Sequence, residues 1–211
     1  MKGESSSVRS GARMSGEDRR LQILRVAVDL FSRKGFRGTT TKEIAEQASV
    51  SEAIIFRHFA TKRDLYSAII DYKAAESAEL ILKTLKNAAR RKDDRAVFQG
   101  LATDILKIHD QDPTLFRLLL YSGLECHELS AMLFERYAKK VRAFLERYIR
   151  QRMADGTFRR IDPKIATHAF FSMISYHALA ANLFRSLLPH GNCADVADAF
   201  ASIFLKGISR L

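Results

Sequence analysis

The sequence predicts an all-α protein of about nine helices, and three observations carry that expectation. The 211 residues include only three Pro and no Trp, and they are rich in the Ala, Leu, Ile, Arg and Glu common in helical proteins. Ser or Thr repeatedly stands three residues ahead of an acid, the pattern by which a side-chain oxygen and a carboxylate close a helix start. No stretch of useful length alternates apolar and polar residues as a half-buried strand would. At 47% hydrophobic, a chain of this length can bury a real core without disulfides or a structural metal.

The elements follow in order. Residues 1–15 carry Ser, Gly and Arg without an apolar run and read as a disordered basic arm rather than a signal peptide. Ser15 with Asp18 opens a helix over about 17–34. Leu21, Leu24, Val28 and Phe31 share one of its faces, and Gly35 stands where a left-handed residue would end it. Thr40 with Glu43 opens a short helix to about 48 that buries Ile44 and Ala45. Ser49, Val50 and Ser51 then make a turn, and a third helix runs to about 59. Thr61 with Asp64 starts a long segment to about 89, with Leu65, Ile69, Tyr72 and Leu80 on one face. Further helices are placed at about 94–109, 113–124, 129–154, 163–188 and 194–209. Two of them are announced by Asp112-Pro113 and Asp162-Pro163, an N-cap followed by Pro at the first helical position. Within 129–154, Phe134, Tyr137, Val141, Phe144 and Tyr148 step by three and four as a buried stripe. The expected division is an arm at 1–15, a helix-turn-helix unit at 16–62 and a helical domain at 63–211.

Charge narrows the partner. The formal net charge is +11, which favours a polyanion such as nucleic acid, with an anionic membrane surface second. Residues 1–62 hold 12 Lys and Arg against 7 Asp and Glu, whereas 63–211 hold 23 against 17 over more than twice the length. The N-terminal third is thus the more basic part. Cys126 and Cys193 are too few for a disulfide scaffold and too far apart for a zinc cluster, which fits a reducing cytosol. The longest mainly apolar stretch, 169–184, is interrupted by His177 and Asn182. It falls short of the roughly 20 apolar residues that cross a bilayer, so a soluble, cytoplasmic protein without membrane contact is expected. Neighbouring Cys126 and His127 raise the possibility of a nucleophile. On a helix, however, consecutive side chains diverge by about 100° and do not readily share a proton. No Gly-rich phosphate loop, metal-ligand spacing or Ser-x-x-Lys pattern is present either, so no catalytic residue, metal or cofactor is expected.

Residues 40–59 meet the demands of a helix-turn-helix: two short helices, a tight turn, a small residue at their contact, and apolar pins into a supporting helix. Ala45 is the small residue, Val50 caps the inner side of the turn, and Ile44, Ile55 and Phe59 can pack under the first helix. That leaves Ser51, Glu52, Ala53, Ile54 and Arg57 to face a groove of duplex DNA. Thr40, Thr41, Lys42, His58 and Lys62 are left to meet phosphates, with Arg37 and Phe56 completing the DNA-facing set. The alternative for the apolar members is an ordinary helical core. Arg9, Arg13, Arg19 and Arg20 either dip into a minor groove or are simply solvated.

The segment GFRGTTTKEIAEQASVSEAIIFRHFATKRDL resembles the DNA-binding unit of the tetracycline-repressor (TetR) family. The matching positions are Gly35, Phe36, Thr39, Thr40, Ile44, Ala45, Ala48, Val50, Ser51, Phe56, His58, Phe59, Lys62 and Leu65, and with the first helix the likeness spans about fifty residues. Three positions depart from the family pattern. Ser49 stands for the turn Gly, Ala53 for a Gly of the recognition helix, and Phe56 for a Tyr. Ser49 must then take a positive φ, Ala53 offers a methyl to a thymine methyl, and Phe56 cannot donate to a phosphate.

The resemblance implies a homodimer that binds operator DNA, acts as a repressor and is released by a small hydrophobic effector bound in a C-terminal bundle. Candidates to line that pocket are Phe98, His109, Phe116, Tyr121, Phe134, Phe171, Met173, Tyr176 and His177, although any one of them is as well explained by a solid core. Apolar stripes of Ile165, Ala169, Met173, His177, Ala180 and Phe184, and of Val196, Phe200, Ile203 and Phe204, suit a four-helix dimer contact. The competing reading is an architectural DNA-binding protein with a solid bundle and no ligand.

Overall fold

The computed structural model describes residues 14–125, 127–184 and 191–210, so most of the expected basic arm, together with Cys126, lies outside the described residues. Every named element is helical: α1 (Gly16–Lys34), α2 (Thr41–Gln47), α3 (Glu52–His58), α4 (Lys62–Arg90), α5 (Asp94–Gln111), α6 (Thr114–Glu125), α7 (His127–Leu133), a π-helical turn (Phe134–Ala138), α8 (Lys139–Ala154), α9 (Pro163–Leu183) and α10 (Cys193–Ile208). Among the described residues the only strand-like pairing is an isolated bridge between Phe158 and Ser209.

These are eleven helical segments where nine were expected, and the difference arises in one place. The single helix foreseen over 129–154 is three segments, because the π turn widens the hydrogen-bonded ring and inserts a residue into the repeat. The foreseen stripe is therefore broken in register. Val141 and Tyr148 are buried, whereas Phe134 is half exposed.

Local chemistry at the helix starts follows the sequence. The hydroxyls of Ser15, Thr40 and Thr61 accept from the backbone N–H of Asp18, Glu43 and Asp64 at 3.0, 3.1 and 3.0 Å. Asp162 accepts from the N–H groups of Lys164 and Ile165 at the start of α9. Each such cap satisfies orphan donors and contributes about 1 kcal/mol. Gly35 ends α1 at φ 73° and ψ 178°, a positive-φ conformation outside the left-handed helical region. Ser49 holds φ 52°, the positive value that the turn requires of it.

Two cores result, joined by the 29-residue α4. Leu65, Tyr66, Ile69 and Ile70 in its first half join α1, α2, Ile55 of α3 and Leu115 and Leu118 of α6. Ile81, Leu85 and Ala88 in its second half join α5, α8, α9 and α10. The second core is centred on Phe98, whose ring lies 5.1 Å from Phe170 and 5.0 Å from Phe204. At one end of this bundle Arg152 grips Asp94 with two donors at 2.8 and 2.9 Å, and the Tyr148 hydroxyl donates to the same carboxylate at 2.6 Å. Paired charges of this kind fix the start of α5 against the end of α8.

Candidate nucleic-acid interface and the cavity behind it

The head is built so that α3 shows one face to solvent. Ile55 and Phe59 anchor it in the first core, while Ser51, Ala53, Phe56 and Arg57 are exposed and Glu52, Ile54 and His58 are half-buried. Two bonds set its angle. The Gln22 amide of α1 donates to the Ala48 carbonyl at 3.0 Å, closing the end of α2. The Thr41 hydroxyl donates to the Glu52 carboxylate at 2.7 Å, tying the start of α2 to the start of α3. Arg37, Thr40 and Lys42 are exposed beside this face.

Three members of the foreseen phosphate set are placed otherwise, the first being Thr41, which is half-buried with its hydroxyl committed to Glu52. Lys62 is half-buried with its ammonium 4.3 Å from the centre of the Phe36 ring, a cation–π contact. Burial lowers its pKa, and the nearby Glu125 charge opposes that shift. His58 is half-buried as well, and its Nε2 is enclosed with no hydrogen-bond partner. Lys62 and His58 each have to turn outward to reach a phosphate.

A junction that sequence reasoning missed lies behind the head. Glu125, the last residue of α6, accepts from the backbone N–H of Phe36 at 2.6 Å and of Arg37 at 3.0 Å. One turn earlier the Tyr121 hydroxyl donates to the Arg33 carbonyl at 2.8 Å, closing the end of α1. The only local signal was Gly35, where a Cβ would lie 2.1 Å from the Glu125 carboxylate oxygen.

The other end of α6 borders a cavity of about 130 Å³ lined by Ile81, Ile105, His109, Leu115, Phe116, Leu119, Phe134, Ala138, Val141, Phe171 and Ser175. Four foreseen residues meet there: His109, Phe116, Phe134 and Phe171. Phe98 does not, because it is fully buried among other rings. Tyr121 turns to α1, Tyr176 is 71% exposed on the outside of α9, and Met173 and His177 lie off the lining, His177 against Phe200 at 5.7 Å. His109 is the polar anomaly of the wall. Its Nδ1 is enclosed without a partner, and burial lowers its pKa to about 4, so the ring is neutral at pH 7.

The outer faces of α9 and α10 also differ from the expected interface. Ile165, Ala169, Tyr176, Leu183, Phe184 and Ile203 are exposed, but Ala180 and Phe204 are buried, and Phe200 packs against the second core. A helix buried on two sides carries apolar residues nearly all round, so spacing alone does not separate the inward from the outward set. Among the described residues no helix is long and apolar enough to cross a membrane.

Comparison with known proteins agrees with this architecture. The family model of bacterial regulatory proteins of the tetR family matches residues 23–69, and that of the AefR-like transcriptional repressor C-terminal domain matches residues 102–207. An uncharacterised HTH-type transcriptional regulator of Bacillus subtilis, YvkB, is 33% identical over 124 residues, which span 56% of this chain and 65% of that protein. FadR of Bacillus subtilis, solved with stearoyl-CoA, superposes with a TM-score of 0.75 at 17% identity, over 89% of this chain and 98% of its own. AibR, solved with isovaleryl-CoA and operator DNA, superposes with a TM-score of 0.67 at 20% identity, over 88% and 97%. The exposed α3 on its three-helix head, the long α4 and the bundle behind them are accompanied by matches over both halves of the sequence: the chain belongs to the tetR family of bacterial transcriptional regulators.

Proposed function

We propose that the protein is a repressor that binds operator DNA as a homodimer, with Ser51, Glu52, Ala53 and Arg57 reading base edges and Arg37, Thr40, Thr41, Lys42, His58 and Lys62 meeting phosphates. The observation that carries this reading is the exposed polar face of α3 on an otherwise pinned head. The exposed apolar stripe of Ile165, Tyr176, Leu183 and Ile203 supports a second copy of the chain as the partner of α9 and α10. A dimer places two heads on one face of the duplex, where successive major grooves recur about every 34 Å.

Release follows from α6. Leu115, Phe116 and Leu119 border the cavity, and Tyr121 and Glu125 of the same helix hold α1 and the backbone beyond it. A small hydrophobic effector in the cavity displaces the α6 wall, and a helix is stiff enough to carry that displacement to the head. Only an effector that binds the released arrangement more tightly shifts the population. The complexes of AibR and FadR with acyl-CoA molecules support occupancy of the bundle by an apolar group.

Selection from a random duplex pool tests the reading. A regulator of this kind returns a palindrome with half-sites about one helical turn apart. A pool recovered without any enriched motif would instead identify the ligand-independent architectural protein.

A further inference from the structure

Arg142 of α8 stands beside the cavity, and among the described residues no acid lies within ion-pair distance of it. Its guanidinium carbon lies 5.7 Å from the centre of the Phe134 ring and 5.0 Å from that of Phe171, and both rings line the cavity. Among the described residues it has neither an ion pair nor a hydrogen bond to the protein, whereas its neighbours are committed: Lys139 pairs with Glu135, and Arg136 with Asp71 and Ser67. Lys140 is two residues earlier on the same helix and so points about 200° away.

Exposure orients the cavity. Leu119, Phe134 and Ser175 are exposed and mark its mouth, whereas Ile81, Leu115, Phe116 and Val141 are buried and form its inner wall. No Asp, Glu, Lys or Arg is among the lining residues. The space is therefore apolar inside except for the His109 ring, and the Arg142 guanidinium, without an ion pair among the described residues, is held over two of the rings that shape it.

From this arrangement we infer that the effector is a monoanionic organic acid, its apolar body inside the cavity and its carboxylate on Arg142. The inference deepens the effector reading given above and rests on it. A guanidinium over an aromatic face keeps its in-plane N–H donors free, and their fork matches a carboxylate. A single available guanidinium balances one negative charge, whereas a phosphate monoester carries closer to two and would draw on a second cation as well. The volume of about 130 Å³ sets the size of the body, since an engineered cavity of about 150 Å³ in another protein holds benzene. An aryl ring on a short alkanoate, or a short alkyl acid, meets both conditions.

The test is calorimetric titration of the full chain at pH 7 with 3-phenylpropanoate and with its uncharged counterpart 3-phenylpropan-1-ol. A charge-assisted pair at the mouth makes the acid bind about tenfold tighter. Arg142→Gln removes that preference by weakening the acid alone, and Arg142→Lys, which keeps the charge but not the fork, falls between. Should Arg142→Gln fail to fold, the acid-to-alcohol ratio in the native chain and in Arg142→Lys decides. Equal binding of acid and alcohol, unaltered in the variants, overturns the anion site while leaving the cavity as an effector site. Binding of neither compound overturns the cavity reading itself. Tighter binding of 3-phenylpropanoyl-CoA than of the free acid moves the charge from a carboxylate to a phosphate and overturns the proposal as stated.

Discussion

Replacing Gly35 by Ala strikes the junction between head and body at one atom. At φ 73° and ψ 178° the residue occupies a region that belongs almost wholly to glycine, and holding Ala there costs about 1–3 kcal/mol. The added Cβ would also stand 2.1 Å from Oε1 and 2.7 Å from the carboxyl carbon of Glu125. The end of a glutamate side chain swings away easily, so the overlap itself is cheap. Its consequence is the loss of the acceptor for the N–H groups of Phe36 and Arg37. A hydrogen bond to a charged group contributes roughly 1.5–3 kcal/mol. Arg37 is exposed, so water replaces the carboxylate there, and the Phe36 bond carries most of the loss. Together the two effects destabilise the chain by about 2–5 kcal/mol.

Urea unfolding followed by helical circular dichroism, at one protein concentration because an oligomer's stability depends on it, measures this loss. Glu125→Ala removes the same two bonds without backbone strain, so the double variant should lose less than the sum of the singles, by about 1–2 kcal/mol. A Gly35→Ala protein within about 0.5 kcal/mol of the parent, or strict additivity with Glu125→Ala, would refute the reasoning.

Arg57→Ala should relax sequence preference at one position of each half-site and cost about 1–3 kcal/mol per contact; an unchanged selected motif with weaker affinity would assign Arg57 to phosphate. Lys62→Ala should weaken operator and random DNA alike and lower the salt slope by roughly one per subunit, and an unchanged slope would confine its ammonium to the Phe36 ring. His109 is held at a pKa of about 4 against 6.5 unfolded, so the unfolded chain takes the proton first. Its contribution is complete above pH 6.5 and is lost as pH falls toward 4, at most about 3 kcal/mol; His109→Phe should flatten that slope in pH-dependent unfolding, and parallel curves would contradict the burial argument. Ile203→Glu, at a position 63% exposed, should yield monomers by sedimentation and abolish tight operator binding, and a persistent dimer would place the interface elsewhere.

The head was legible because its determinants act over a few residues. A cap is one side-chain oxygen meeting an N–H three positions on, so Ser15, Thr40 and Thr61 could be identified without knowing what surrounds them. Ser49 was legible through the resemblance instead, since it stands where the family pattern has the turn Gly, and it holds φ 52°. Glu125 was invisible for the opposite reason. Its partners are 89 and 88 residues away, and a glutamate at a helix end announces nothing by itself. The π turn was equally hidden, since Phe134 and Val141 keep helical spacing in the sequence while the inserted residue turns the first of them toward the cavity mouth.

The bundle separates what periodicity reports from what function needs. A repeat of apolar residues says that a face is covered, but the cover can be the core, a second subunit or a ligand, and all three favour the same side chains. Phe98 and Phe116 look alike in the sequence, yet one ring sits among four others and the second borders the cavity. Ala180 and Ile203 both belonged to the foreseen interface, yet one is buried within its own chain and the other stands in solvent. Polar anomalies discriminate where apolar patterns do not, because a buried polar group is costly unless something satisfies it. The unpartnered Nδ1 of His109 is such an anomaly on the cavity wall, and beside the same cavity the Arg142 guanidinium, with no ion pair among the described residues, lies over two of the lining rings. The core gains nothing from leaving that nitrogen unmet. A ligand that gives its carboxylate to the guanidinium accounts for Arg142, whereas only a polar atom within reach of Nδ1 would account for His109.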